Sequence, residues 1–355
     1  MPGFVSVVIG ILLFSILIFV HELGHFLAAK AFGVQVNEFS MFMGPAIYKK
    51  KKGETLYTIR CIPIGGFCAM EGEDQDTESP RSFQKAAWWK RLIILVAGAF
   101  MNFVIALVFV FIFFLPAEQV ATPVVSELEE CCIFAGENGL KVGDTLLEID
   151  GEKIYTASNI SLLNLNETGV HDIVVLRDGE KLVFNDLPMA HTHTTKDGQT
   201  VKHYGIAMSY ENATFGLKMQ TVFNTTLDHI RSVRLGLQML LSGKVGLGDM
   251  AGPVGVVDLM SEAAGSAPDW WDGLLTLIYF AGYLAANLGV MNLLSIPALD
   301  GGRVVALLLT TGVEKVTRKK IDPKYEGYIH AAGMILLLLL MAVIMFKDVF
   351  TIFKG

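Results

Sequence analysis

From Phe4 to Val20 the chain carries no charged side chain, and this stretch runs straight into His21-Glu22-Leu23-Gly24-His25. The hydrocarbon core of a bilayer takes roughly 20 apolar residues to cross as a helix. Inside it the backbone must satisfy its own hydrogen bonds, so a membrane helix is the expected first element. An ionisable group at such depth is expensive and by default functional. On a helix His21 and His25 fall at i and i+4 on one face, where two imidazoles can hold Zn²⁺ while Glu22 serves as general base toward water. The competing reading is a helix end capped by interfacial histidines, and a third protein ligand is what separates the two.

Three further apolar runs follow, Leu92 to Leu115, Leu274 to Leu299 and Gly327 to Phe346. With 52% hydrophobic and only 18% charged residues, the composition agrees with a membrane protein. The first run is not expected to be a signal peptide, because no basic segment precedes it and no small-residue cleavage site follows. Basic residues set orientation. Lys49 to Lys52, Arg60, Arg81, Lys85, Lys90 and Arg91 lie between the first two runs, and Lys315, Arg318, Lys319, Lys320 and Lys324 between the last two. Both segments are therefore expected in the cytoplasm. From Glu118 to Asp186 there are 14 Asp and Glu against 4 Lys and Arg, which agrees with an outside location and puts both termini outside.

Val36 to Gly72 holds the β-like runs Phe39-Ser-Met-Phe-Met and Thr55-Leu-Tyr-Thr-Ile, punctuated by Gly44-Pro45 and Gly65-Gly66, and reads as a small membrane-associated sheet. Further on, Gly139-Leu-Lys-Val-Gly-Asp144, Asp150-Gly151 and Asp178-Gly179 mark strands joined by turns, in an order that resembles a single PDZ domain. Phe215 to Ala264 is expected to form amphipathic helices on the outer face, and Trp270 and Trp271 to anchor the third span at the interface. The predicted fold class is a polytopic α-helical membrane protein with four transmembrane helices, a small membrane-associated β-sheet and an inserted extracytoplasmic β-rich PDZ-like domain. Its expected parts are a first transmembrane helix over 1–31, a cytoplasmic loop with a β-hairpin over 32–91, and a second transmembrane helix over 92–117. The PDZ-like domain follows over 118–195, then an extracytoplasmic linker with amphipathic helices over 196–271 and a third transmembrane segment over 272–302. A cytoplasmic interfacial helix and loop over 303–326 and a fourth transmembrane helix over 327–355 complete the chain.

Counting residues from the outer end of each span brings Asp300 close to the depth of His21 and His25. It closes Asn292-Leu-Leu-Ser-Ile-Pro297-Ala-Leu-Asp300-Gly301-Gly302, where proline and glycine break regular helix at membrane depth. Broken backbone there is tolerated where it is buried or lines a wet cavity. Taken alone, Leu-Asp-Gly would read as a turn at a helix end.

His-Glu-x-x-His in a first span, joined to Asn-x-x-x-x-Pro-x-Leu-Asp-Gly in a later one, resembles the site-2 protease family of intramembrane metalloproteases over nearly the whole chain. Its bacterial RseP-like branch is the nearest match. The resemblance implies that His21, His25 and Asp300 ligate zinc and that Glu22 is the catalytic glutamate. It further implies that Asn292, with Pro297, binds substrate or stabilises the transition state. Ser295, where many relatives carry proline, and Ala99 in Gly98-Ala-Phe-Met-Asn102, where Gly-Pro is common, depart from the family pattern. By the same resemblance the chain would sit in a bacterial cytoplasmic membrane and cut single-span membrane proteins, such as anti-sigma factors or remnant signal peptides, after an upstream site-1 protease. A hairpin edge would take the unwound substrate as an added strand. No nucleic-acid motif is present. The rival readings are a non-catalytic scaffold that presents the PDZ-like module and a metal transporter. Few further carboxylates or histidines in the spans speaks against transport. His191, His193 and His203 lack a ligand pattern, and Cys61, Cys68, Cys131 and Cys132 imply no disulfide framework.

Overall fold

The computed structural model describes residues 3–73, 77–129, 134–136, 139–166, 168–189, 191–194, 200–246, 252–318 and 324–354, with backbone alone at 64, 191–194, 200–203, 253–254, 324–326 and 348–354. Cys131, Cys132 and the side chains of His191, His193 and His203 lie outside the described residues. The chain forms two compact units, Met1–Phe113 with His229–Gly355, and Phe114–Asp228.

In the first unit, α1 (Gly3–Ala31) carries the apolar run and the histidine motif on one unbroken helix of 29 residues, about 44 Å long at 1.5 Å per residue. It ends at Gly33, whose φ of 79° permits the left-handed cap in which the Val34 amide donates back to Ala29 O. A hairpin of β1 (Val36–Lys52) and β2 (Thr55–Met70) follows, much longer than the short runs expected. The strands bend where Phe42 and Gly44 take positive φ. The bend folds the sheet over itself, so Glu38 to Met41 are matched both by Gly66 to Ala69 and by Leu56 to Ile59.

The second long helix is α2 (Trp88–Phe114). Helices α3 (Phe215–Leu241), α4 (Pro253–Gly265), α5 (Trp270–Leu293), α6 (Asp300–Thr317) and α7 (Lys324–Lys354) complete the helical set. Among the described residues, four stretches are long and apolar enough to cross a membrane: Gly3–Ala31, Trp88–Phe114, Trp270–Leu293 and Gly327–Lys347. The third expected span stops at Leu293, and a new helix starts at Asp300, because Pro297 cannot continue α5. One face of α4 packs on the bundle, with Met260 and Ala264 buried against Leu277 of α5 and Ile9 and Leu13 of α1. Small residues let the spans approach, since Ala281, Ala285 and Ala286 of α5 are buried with Leu17 of α1 and Ala106 of α2.

The second unit is built on an antiparallel sheet in the order β10–β3–β4–β6–β7, with β5 paired to β4. These strands are β3 (Gln119–Leu128), β4 (Thr145–Ile149), β5 (Glu152–Lys153), β6 (Val170–Arg177), β7 (Glu180–Pro188) and β10 (Ile206–Asn212), while β8 (His191–Thr194) and β9 (Thr200–His203) pair apart from it. A short 3-10 helix, Ala157–Leu165, accompanies the sheet. Asp150 and Asp178 take positive φ in the turns that their Asp-Gly pairs announced. Buried Asp144 accepts two hydrogen bonds from Arg177, at 2.7 Å each, and clamps the strands together.

Candidate metal centre

One helical turn separates His21 from His25, and their rings stand edge to face with centroids 4.9 Å apart. The break after α5 brings Asp300 to them. Its carboxylate stands in the first turn of α6, where the helix dipole favours negative charge. Gly301 is required there, because a Cβ at that position would lie 2.3 Å from Leu294 O. His21 Nε2 to Asp300 Oδ2, His25 Nε2 to Asp300 Oδ2 and His21 Nε2 to His25 Nε2 are each 3.2 Å. The three sequence-expected ligands thus meet, and they form the one such cluster of metal-ligating groups among the described residues.

The triangle fits zinc. Bonds of about 2.0 Å to nitrogen and oxygen in a tetrahedral site give ligand separations of about 3.3 Å. The protonation pattern agrees as well. His25 Nδ1 donates to Ile94 O at 2.8 Å, so in the neutral ring Nε2 carries a lone pair. Asp300 Oδ2 is buried, with one ring nitrogen of each histidine 3.2 Å away. With both Nε2 atoms unprotonated, the lone pairs that converge there call for a cation among them.

Glu22 follows His21 on α1 and faces a cavity of about 620 Å³ lined by both histidines, Asp300 and the strand Phe67 to Met70. Cys68 shares that wall, where burial pushes its thiol pKa up, with the nearby Glu22 and Glu73 carboxylates adding to the shift. Asn292 is partly buried, and its Nδ2 lies 3.3 Å from His21 Nδ1. Pro297 shapes the break, packed so closely on Gly333 of α7 that a Cβ there would lie 2.5 Å from it.

Several contributors escaped the sequence reading. Arg303, one turn beyond Asp300, pairs with Glu73. His330 of α7 accepts a hydrogen bond through Nδ1 from the Ala298 amide at 3.2 Å, and Ala298 itself holds a strained φ of 91°. Asn102 is completely buried on α2, with Nδ2 3.2 Å from His21 Nδ1. A lone carboxamide in an apolar run was the available signal for Asn102. Nothing local marks the other two.

Known proteins resemble this chain over nearly its whole length. The model of peptidase family M50 matches residues 9–340. A protein of Clostridium acetobutylicum named "Putative zinc metalloprotease" is 34% identical over 353 residues, 98% of each chain. The regulator of sigma-W protease RasP of Bacillus subtilis is 28% identical over 436 aligned positions, covering 99% of this chain and all of that one. Zinc metalloprotease RasP of Geobacillus kaustophilus is 29% identical, with 97% of each chain covered.

Proposed function

The chain belongs to peptidase family M50, as a multi-pass intramembrane zinc metalloprotease, and from that premise we propose that His21, His25 and Asp300 hold its zinc and that Glu22 is the proton carrier. The observation that carries this assignment is the 3.2 Å triangle of two imidazole nitrogens and one carboxylate oxygen. Zinc bound there supplies Lewis acidity, which makes water nucleophilic near neutral pH and polarises a carbonyl. Glu22 accepts the proton of the attacking water and returns it to the nitrogen of the leaving amine. Asn292 and Pro297 are proposed to serve substrate binding or transition-state stabilisation on the rim of this centre.

The substrate has to present an extended backbone, since a helix hides its carbonyls in internal hydrogen bonds. The strand Phe67 to Met70 supports that requirement. Among the described residues its inner side is matched to β1, no strand pairs with its outer side, and it borders the same cavity as Glu22. An unwound segment added there would lay its peptide bonds beside the centre. The proposed substrates are single-span membrane proteins, anti-sigma factors or remnant signal peptides, first shortened by a site-1 protease. The name of the Bacillus subtilis relative, a regulator of sigma-W, supports the former.

The second unit is read as an extracytoplasmic PDZ-like domain, and both termini as extracytoplasmic. Its antiparallel sheet, short helix and Asp-Gly turns support the first reading, and the placement of lysines and arginines supports the second. The test uses wild type and Glu22→Gln in proteoliposomes with single-span peptides and cleaved signal peptides. Cleavage by wild type alone, with one zinc in each protein, is expected. Equal turnover by both would remove Glu22 from its role.

A further inference from the structure

For His21 to offer Nε2 to a metal, its Nδ1 must carry the ring proton, and that proton needs an acceptor. Two carboxamide nitrogens face it instead, Asn102 Nδ2 at 3.2 Å and Asn292 Nδ2 at 3.3 Å. Donors cannot satisfy a donor, so one amide has to present its oxygen. Asn102 has the reason to turn. It is wholly inaccessible to solvent, and its Oδ1 is buried without any hydrogen-bond partner, a deficit that costs about 1–3 kcal/mol for a typical polar group. A half-turn of the carboxamide exchanges its two ends and brings that oxygen to His21 Nδ1. Asn292 is only partly buried, so its amide can pair with water or substrate.

The surroundings of Asn102 form a pattern. Ile94, Gly98 and Asn102 lie at i, i+4 and i+8, one stripe of α2 turned toward the motif on α1. The Ile94 carbonyl accepts from His25 Nδ1 at 2.8 Å. Gly98 has no side chain to stand between the helices, and a Cβ there would lie 2.4 Å from His25 Nε2 and 2.7 Å from His21 Cε1. The stripe thus provides one acceptor, a gap for both rings, and a carboxamide at the second ring. We infer that Asn102 is a positioning residue whose amide oxygen accepts the His21 Nδ1 proton, so that α2 fixes the metal-binding tautomer of both histidines. This rests on the assignment of His21, His25 and Asp300 as zinc ligands.

The test measures zinc affinity by chelator competition on the full chain in detergent, with Asn102→Leu, Asn102→Asp, Asn292→Leu and Asp300→Ala beside wild type. Helix content and thermal transition are recorded for each, and visible spectra are taken after cobalt replaces zinc. Asn102→Leu, similar in size but without an acceptor, is expected to bind zinc about 10–100-fold more weakly, the usual loss when a ligand's hydrogen-bond partner is removed, with a changed cobalt spectrum and wild-type helix content. Asn102→Asp keeps an acceptor oxygen and is expected to restore most of the affinity and the wild-type cobalt spectrum. Asn292→Leu is expected to keep its zinc. Wild-type affinity in Asn102→Leu while Asp300→Ala loses zinc would overturn the role of Asn102 alone, whether or not Asn292→Leu keeps its zinc. Retention of zinc by Asp300→Ala would overturn the ligand assignment and this inference with it.

Discussion

At the residue scale, the spacing of His21 and His25 is legible because helix geometry alone puts i and i+4 on one face. Asp300 is legible only in part, since the break at Pro297 lets it arrive from another segment. Their shape depends on a residue with no chemistry of its own. A methyl at Gly98 would stand 2.4 Å from His25 Nε2, so Gly98→Ala must displace both rings. Zinc affinity is expected to fall on the order of tenfold or more, with helix content retained, and equilibrium dialysis against a zinc buffer measures it. Asn102 showed only as a lone carboxamide in an apolar run, and His330 and the Arg303–Glu73 pair were not legible, because each acts across a gap in sequence that only tertiary packing closes.

At the element scale, the hairpin was foreseen as strands but not in its length or its fold-over, because alternation marks a strand while pairing on both sides is a tertiary property. Its turn is tied to the rest of the unit by Glu54, which accepts hydrogen bonds from Lys30 at 2.6 Å and from both terminal nitrogens of Arg81 at 2.5 and 3.0 Å. The Arg81 and then the Lys30 hydrogen bonds hold the Glu54 carboxyl below its ordinary value. A lowered value means the tie contributes fully above the unfolded carboxyl range of about 4.3 and is lost as pH falls through the lower folded value. Limited proteolysis should therefore open the hairpin below about pH 4 in wild type, and Glu54→Gln should remove that step. The last helix offers a second test. Gly333 of α7 touches Pro297 with no room for a side chain, and His330 holds the Ala298 amide one turn away. Gly333→Val is expected to push the turn that carries Asp300 and to lower peptide turnover on the order of tenfold to a hundredfold, read as kcat on a fixed peptide.

At the scale of the whole molecule, four apolar runs were enough to foresee four helices of membrane length, since hydropathy over some 20 residues is a strong and local signal. The packing of α4 into the bundle was not, because Val256, Met260 and Ala264 at helical spacing look the same whether they meet lipid or protein. What unites the first unit is a centre assembled from opposite ends of the sequence, two nitrogens from α1 and one oxygen from α6, with a cavity and a strand edge beside it. X-ray absorption at the zinc edge of the purified wild-type chain tests that centre most directly. The expected first shell contains only nitrogen and oxygen near 2.0 Å, with the outer scattering of two imidazoles, and Asp300→Ala should lose a shell atom or the metal itself. A sulfur shell near 2.3 Å, which would have to come from a cysteine, or an unchanged spectrum in Asp300→Ala, would contradict it.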